Sequence, residues 1–480
     1  MWKLDTQEVK FRSSRSSRVV VSIVATLLVI TSILALTTLY MKPVELINVD
    51  PAIFQLLATQ RCVVVFAYVK PEVPTSQLDI QILKEWKFTS FTLILANVCS
   101  VDDVLSLAKK SLYVGIIRRV VLPPIPTPYK IPKSDIENAK KINYLINIHN
   151  PTLRYSGRGV TIAIVDSGIE YWSKWFSKTC RDWDTENTRI KAMISFVVRK
   201  SNGEPITWIR GVNMTFRELY DWEVKVYNIL GVFPFLDVVG HGTSVSFVVG
   251  GSECISGVRG VAPSVEYVVI KVFPDSFYAS LENIIDALYW IYMHHNEYNI
   301  KIVVLSLGAL MTSSSLYSNP LNVVICELVN KGILVVVASG NEGAMIGTLT
   351  TPASSPCAIS VGALNPVTLR IAPFTSLPPT TYKQKLDFLA VGYLVWTYLP
   401  PYTAMAQYIE NHVPQLVVDE ENNIYMVLGT SYSAPACAGV LATWVEKYHN
   451  VLLNFEKIAK ENSIPLHNTV VKFGIPIAPK

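Results

Sequence analysis

Four short runs of β-branched residues constrain this chain most: VTIAIVDSG (160–168), VEYVVIKVF (265–273), IKIVVLSLG (300–308) and GILVVVASG (332–340). Each ends in small or polar residues. Between them, LENIIDALYWIYMHH (281–295) and LNVVICELVNKG (321–332) carry helical spacing. Strands this apolar need cover on both faces, and alternation with helices supplies it in an α/β fold, a doubly wound parallel sheet with flanking helices. Ligands of such sheets bind outside the carboxyl ends of the strands. Asp166, Ser306 to Gly308 and Asn341 all lie at such ends.

The α/β pattern begins near residue 140, and what precedes it differs. Residues 19–41 are 23 positions without a charge. As a helix they would span roughly 34 Å, enough to cross a hydrocarbon core of about 30 Å. Before them, Lys3, Lys10, Arg12, Arg15 and Arg18 outnumber Asp5 and Glu8. The positive-inside rule keeps residues 1–18 in the cytoplasm as a basic tail and places the rest outside, in a single-pass cell-membrane topology. The rival reading is a cleaved signal peptide, whose apolar region is usually about 7–15 residues, giving a secreted protein.

Residues 44–122 read as a small α+β domain, with strand-like runs at 61–69, 90–98 and 113–122 and a helix start at Ser100 followed by Asp103. Pro123, Pro124, Pro126, Pro128 and Pro132 then mark an extended linker over 123–140. The remaining 141–480 form the main domain.

The net charge of +5, from 42 basic and 37 acidic residues, is spread along the chain beyond the N-terminal cluster. That gives no electrostatic footprint for nucleic acid. Seven cysteines are too dilute for a disulfide scaffold. Cys180 and Cys254 fall in loop-like stretches and can pair in an oxidising exterior. Cys326 and Cys437 sit on helical stretches and read as buried thiols. His294 and His295 lack the HExxH spacing of a zinc protease, and no GxSxG is present.

Acyl transfer to a serine needs a base, a carboxylate to orient it and donors for the oxyanion. Asp166 in AIVDSGIE, His241 in VVGHGTSVSFVVGG, Asn341 in VVVASGNEGA and Ser431 in LGTSYSAPACAGV offer these in order. With these four motifs, and with GVRGVAPSVEYVVIKV (257–272), VVLSLG (303–308) and TPASSPCAISVGAL (351–364), the chain resembles the subtilisin-like serine proteases over roughly 140–450. The resemblance implies an Asp-His-Ser triad of Asp166, His241 and Ser431, with Asn341 in the oxyanion hole. Ser433 falls on a variable small position and reads as packing.

The resemblance further implies a peptide substrate held by β-augmentation. Ser306, Leu307 and Gly308 would line one side of the pocket for the residue before the cut. Ala338, Ser339 and Gly340 would line the other, with Thr350 near the base. Medium apolar side chains are expected there. Residues 44–122 resemble the family's inhibitory propeptide, with autocatalytic processing in the linker. No cofactor is needed for the chemistry; subtilases often bind structural calcium, and no ligands are assigned here. Expected partners are protein or peptide substrates, the chain's own propeptide and the membrane through 19–41.

Three departures stand out. Ser244 replaces a histidine usual three residues after the catalytic one. The 75 residues from Asp166 to His241 are long for the family, which places an aromatic insertion at about 171–236, with Trp172, Trp175, Phe176, Trp183, Trp208, Tyr220 and Trp222. A second insertion is expected at 399–427. These departures keep an alternative open, a catalytically silent binding or scaffold protein on the same fold.

Overall fold

The computed structural model describes residues 48–116, 120–121, 131–212, 214–309, 319–379, 383, 385–466 and 470–480. The tail 1–18, the expected span 19–41 and linker residues 122–130 lie outside these. Among the described residues no helix is long and apolar enough to cross a membrane. The chain divides into two compact units, one running to Lys87 and resuming over Phe91–Ile116, the other holding Phe88–Ser90 and Ile117–Lys480.

In the small unit, helix α1 (Ala52–Leu57) precedes strands β1 (Val63–Val69), β2 (Gln81–Lys87) and β3 (Thr92–Val98), helix α2 (Val101–Lys110) and strand β4 (Ser111–Ile116). The sheet order is β2-β3-β1-β4. Val65, Ala67, Ile94, Ala96, Val104 and Leu107 form its core. Register explains its disulfide: Val63 faces Val98, so Cys62 and Cys99 meet at the next position and are bonded. Ser100 caps α2, and Asp103 returns the bond in a capping box. Strand β2 has no counterpart in the sequence reading. Its alternation, QILKEWK, is half charged and hides the strand from a search for apolar runs.

The large unit opens with the two-residue β5 (Val120–Val121), which pairs with β10 (Tyr278–Ala279). Helix α3 (Lys133–Ala139) follows, so the end of the expected linker is helical rather than extended. Ile136 and Ala139 are buried, which is the reason. Helix α4 (Tyr144–His149) ends on a buried histidine. Its Nε2 accepts from Val391 N at 3.0 Å and its Nδ1 donates to Pro476 O at 2.7 Å, which defines a neutral ring.

The main sheet is built from β6 (Thr161–Asp166), β7 (Ile190–Arg199), β8 (Pro205–Ile209), β9 (Glu266–Lys271), β11 (Ile300–Leu305), β12 (Leu334–Ala338), β13 (Ile359–Asn365), β15 (Leu386–Val391), β19 (Ser463–Ile464) and β20 (Val471–Pro476), with β14 (Arg370–Ile371) paired to β13. The order is β19-β20-β15-β13-β12-β11-β6-β9-β7-β8. From β20 to β7 the neighbours run parallel. Strand β6 is buried at every position, as a strand covered on both faces must be. Helices α5 (Phe216–Leu230), α6 (His241–Gly250), α7 (Leu281–Tyr298) and α8 (Pro320–Asn330) belong to this unit.

The aromatic stretch 171–236 does not fold as a subdomain of its own. Its middle is β7, a parallel strand of the main sheet, with β8 and α5 added beyond it. Trp175 and Phe176 are buried, and Trp172 stacks on Trp183 with ring centroids 4.6 Å apart. The second expected insertion holds helix α9 (Ala404–His412) and strands β17 (Val417–Asp419) and β18 (Ile424–Val427), which form a three-stranded sheet with β16 (Val395–Tyr398) just ahead of it. Helix α10 (Thr430–Tyr448) then crosses the unit, buried from Thr430 to Trp444, and α11 (Phe455–Glu461) leads to the last strands.

The cysteines require one correction. Cys180 is bonded to Cys254, and Cys437 is a buried free thiol. Cys326 is not a thiol, because it is bonded to Cys357. Helical spacing had placed Cys326 on a buried face, but its partner lies just ahead of β13 and is invisible to local pattern.

Candidate active site

Asp166 is the last residue of β6 and is fully buried. A carboxylate there needs partners, and it has them. His241 Nδ1 donates to Oδ1 at 2.8 Å and lies 3.0 Å from Oδ2, and Ser167 N donates to Oδ1 at 2.7 Å. Since Nδ1 carries that proton, Nε2 is the basic nitrogen. His241 opens α6, and Gly242 lets that helix come close: a Cβ there would stand 2.3 Å from Gly168 O. Burial pushes the His241 imidazolium down, but the charge and hydrogen bond of Asp166 and the charge of Asp237 outweigh this. The net shift is upward from 6.5.

Asp237, four residues before His241, organises this turn. Its Oδ1 accepts from Val239 N at 3.1 Å, Gly240 N at 2.8 Å and Ser167 Oγ at 2.9 Å. Its Oδ2 accepts from Thr243 N and Thr243 Oγ1, both at 2.8 Å. Gly242 N in turn donates to Ser167 Oγ at 2.9 Å. The sequence reading missed Asp237; its signal was a lone carboxylate inside the apolar stretch FLDVVG.

Ser431 lies in the first turn of α10, where unpaired N–H groups favour developing negative charge. Its Oγ donates to Ser306 O at 3.4 Å, and Ser306 Oγ donates to Ser431 O at 2.8 Å. His241 Nε2 is buried with no hydrogen-bond partner among the described residues. Ser431 Oγ is thus bonded to Ser306 O and not to His241 Nε2. Asn341 Oδ1 accepts from Thr430 N and Thr430 Oγ1, both at 2.9 Å. This turns the Asn341 amide nitrogen toward Gly429, whose Cβ would stand 3.4 Å from it. Ser433 Oγ is buried with no hydrogen-bond partner among the described residues, as a packing position would have it.

Ser244 has a partner of its own. Its Oγ donates to His241 O at 2.8 Å and lies 3.4 Å from the hydroxyl of Tyr432, the buried residue after Ser431.

The expected pocket residues also gather. Thr350 N and Thr350 Oγ1 donate to Ser339 O, both at 3.0 Å. A Cβ on Gly308 would lie 2.8 Å from Thr350 Oγ1, and one on Gly340 would lie 2.4 Å from Thr350 Cγ2. Thr350 thus stands between the Ser306–Leu307–Gly308 and Ala338–Ser339–Gly340 segments. Among the described residues no three His, Cys, Asp or Glu side chains form a metal-holding group.

The family model for the subtilase family matches residues 157–462. The chain belongs to the subtilase family. It is 27% identical to Subtilisin NAT of Bacillus subtilis subsp. natto over 270 residues, covering 55% of this chain and 56% of that protein. It is also 27% identical to Serine protease AprX of Bacillus subtilis over 301 residues, covering 60% and 57%. The chain thus spans little more than half the length of these relatives. Among solved structures it is similar to one titled S41 Psychrophilic Protease, with a TM-score of 0.50 and 20% identity, covering 70% of this chain and 97% of that one; this likeness bears on the fold.

Proposed function

We propose that the chain is an exported serine endopeptidase that hydrolyses peptide bonds through an acyl-enzyme, with Asp166, His241 and Ser431 as its triad. The observation that carries this reading is the buried Asp166–His241 pair at 2.8 Å, with the other ring nitrogen unpaired and Ser431 at the start of α10. Ser431 Oγ leaves Ser306 O, gives its proton to His241 Nε2 and attacks the scissile carbonyl. Asp166 stabilises the imidazolium that results. Asn341 Nδ2 and the N–H groups of the first turn of α10 stabilise the oxyanion. His241 then protonates the leaving amine and activates the water that frees the acyl group.

Thr350, set between two glycine-lined segments, favours a pocket of modest depth that takes small to medium apolar side chains. A peptide-library profile dominated by Arg or Lys would refute this. Three disulfides fit an oxidising exterior, and so support export. In this reading residues 44–122 act as an inhibitory propeptide and partner, and residues 19–41 tether the chain to the membrane. Processing in the linker then frees the enzyme. The alternative, a silent scaffold on the same fold, loses ground because a scaffold has no need of a buried, paired His241.

The test follows the intact mass of the full chain in detergent over time, as wild type and as Ser431→Ala. Cleavage of the wild type near residues 122–140, with Ser431→Ala left whole, supports the proposal. Identical cleavage of both would assign the cut to another protease.

A further inference from the structure

Between β16 and α9, residues 397–405 run along the catalytic turn. Thr397 Oγ1 donates to Ser244 O at 2.9 Å. Ala404 N donates to Val238 O at 3.0 Å and Met405 N to Val239 O at 3.1 Å. Gly240, with a φ of 95°, caps α6 directly under this segment, and a Cβ on it would lie 2.7 Å from Thr403 Oγ1. Every residue from Val238 to Gly240 therefore touches the second insertion just ahead of His241.

One acidic side chain ties the segment down. Glu170, four residues after Asp166, is only 4% exposed. Its carboxylate accepts from the Tyr398 hydroxyl at 2.5 Å. Its backbone N–H donates to Thr243 Oγ1 at 3.0 Å, and Thr243 is bonded to Asp237. Glu170 thus joins three pieces: the turn after Asp166, the first turn of α6 through its N–H, and the end of β16 through its carboxyl group. The Asp166–His241 hydrogen bond itself needs none of these contacts, yet all of them hold the backbone on which His241 rides.

We propose that Glu170 is a positioning residue, clamping Tyr398 so that β16 and the segment that follows it hold His241 in line with Ser431. This rests on the serine endopeptidase reading. The carboxyl group acts through hydrogen bonds rather than through its charge. Burial pushes it up to about 7, against the hydrogen bond from Tyr398, and the nearby charge of Asp182 adds to the rise. Glutamine, which offers the same acceptor and shape, should therefore stand in for it, and alanine should not.

The test uses the full chain in detergent, as wild type, Glu170→Ala, Glu170→Gln and Tyr398→Phe. It measures kcat and KM on one peptide substrate and fluorophosphonate stoichiometry by intact mass. A misplaced base costs turnover more than binding, so Glu170→Ala should lose about tenfold or more in kcat with KM within about twofold. Glu170→Gln should return to within about threefold of wild type. If Glu170→Ala does not fold, Tyr398→Phe, which keeps the ring, should show the same loss confined to kcat. Wild-type kcat in the folded Glu170→Ala or in Tyr398→Phe would overturn the proposal, as would a Glu170→Gln as slow as Glu170→Ala. A folded wild type that neither labels nor cleaves would instead bring down the endopeptidase reading itself.

Discussion

At the residue scale, the site depends on which nitrogen of His241 is free. Asp166 holds the proton on Nδ1, so Nε2 is left as the base, and burial keeps water from competing for it. Because Asp166 and Asp237 raise the His241 pKa above 6.5 despite burial, neutral imidazole accumulates only above that value. The kcat/KM profile should therefore rise with pH through an apparent pKa above 6.5; a limb near 5.5 would contradict the assignment. Stability follows the opposite trend, since a raised histidine pKa favours the folded state at low pH and loses that contribution as pH rises through it. Asn341→Ala removes the side-chain donor, and should lower kcat by about 10²–10³, a magnitude established on a subtilisin, with KM little changed. Equal kcat in variant and wild type would exclude Asn341 from the oxyanion hole.

At the scale of elements, helix α5 is tied to the stretch after the catalytic strand and to the one before His241 through a second buried acid. Glu223 Oε1 accepts from Phe235 N and Leu236 N, and its Oε2 from the Tyr171 hydroxyl. Burial pushes its carboxyl up to about 7, although these bonds and Lys271 pull it down. A carboxyl raised in this way keeps its proton in the folded state after the unfolded chain has released it. Its stabilising contribution is complete below about 4.5 and is lost as pH rises through about 7. Glu223→Gln, which mimics the protonated form, should raise Tm by a few degrees at pH 8.5 and leave it unchanged near pH 4. A Tm lowered at both values would show that the ionised carboxylate stabilises α5 instead.

The same scale shows why the sequence was legible in part. The apolar strands β6, β9, β11 and β12 were readable because burial on both faces leaves an unbroken hydrophobic run. Strand β2 was not, since its exposed positions carry Glu85 and Lys87 and break the run. Motifs at strand ends revealed Asp166 and Asn341, and motifs at helix starts His241 and Ser431, because each must occupy a fixed place in a local pattern. Glu170 and Asp237 act through partners 228 and 70 residues away, and no local pattern encodes such distances.

For the whole molecule, covalent links set the limits of motion. Six of the seven cysteines are paired, and Cys437 is buried in α10. Alkylation without reductant should leave the native chain unmodified and add one label after denaturation. Three or more labels would contradict the pairing. The bonds close loops within each unit, Cys62–Cys99 in the small one and the other two in the large one, so none would hold the two units together after a cut in the linker.

The most direct test is to treat the full chain in detergent with a fluorophosphonate, map the adduct by mass spectrometry, and repeat with Ser431→Ala and Asp166→Asn. One adduct per chain on Ser431, absent from Ser431→Ala and strongly slowed in Asp166→Asn, is the expected result. A folded wild type that stays unlabelled, or an adduct on another serine, would contradict Ser431 as the nucleophile.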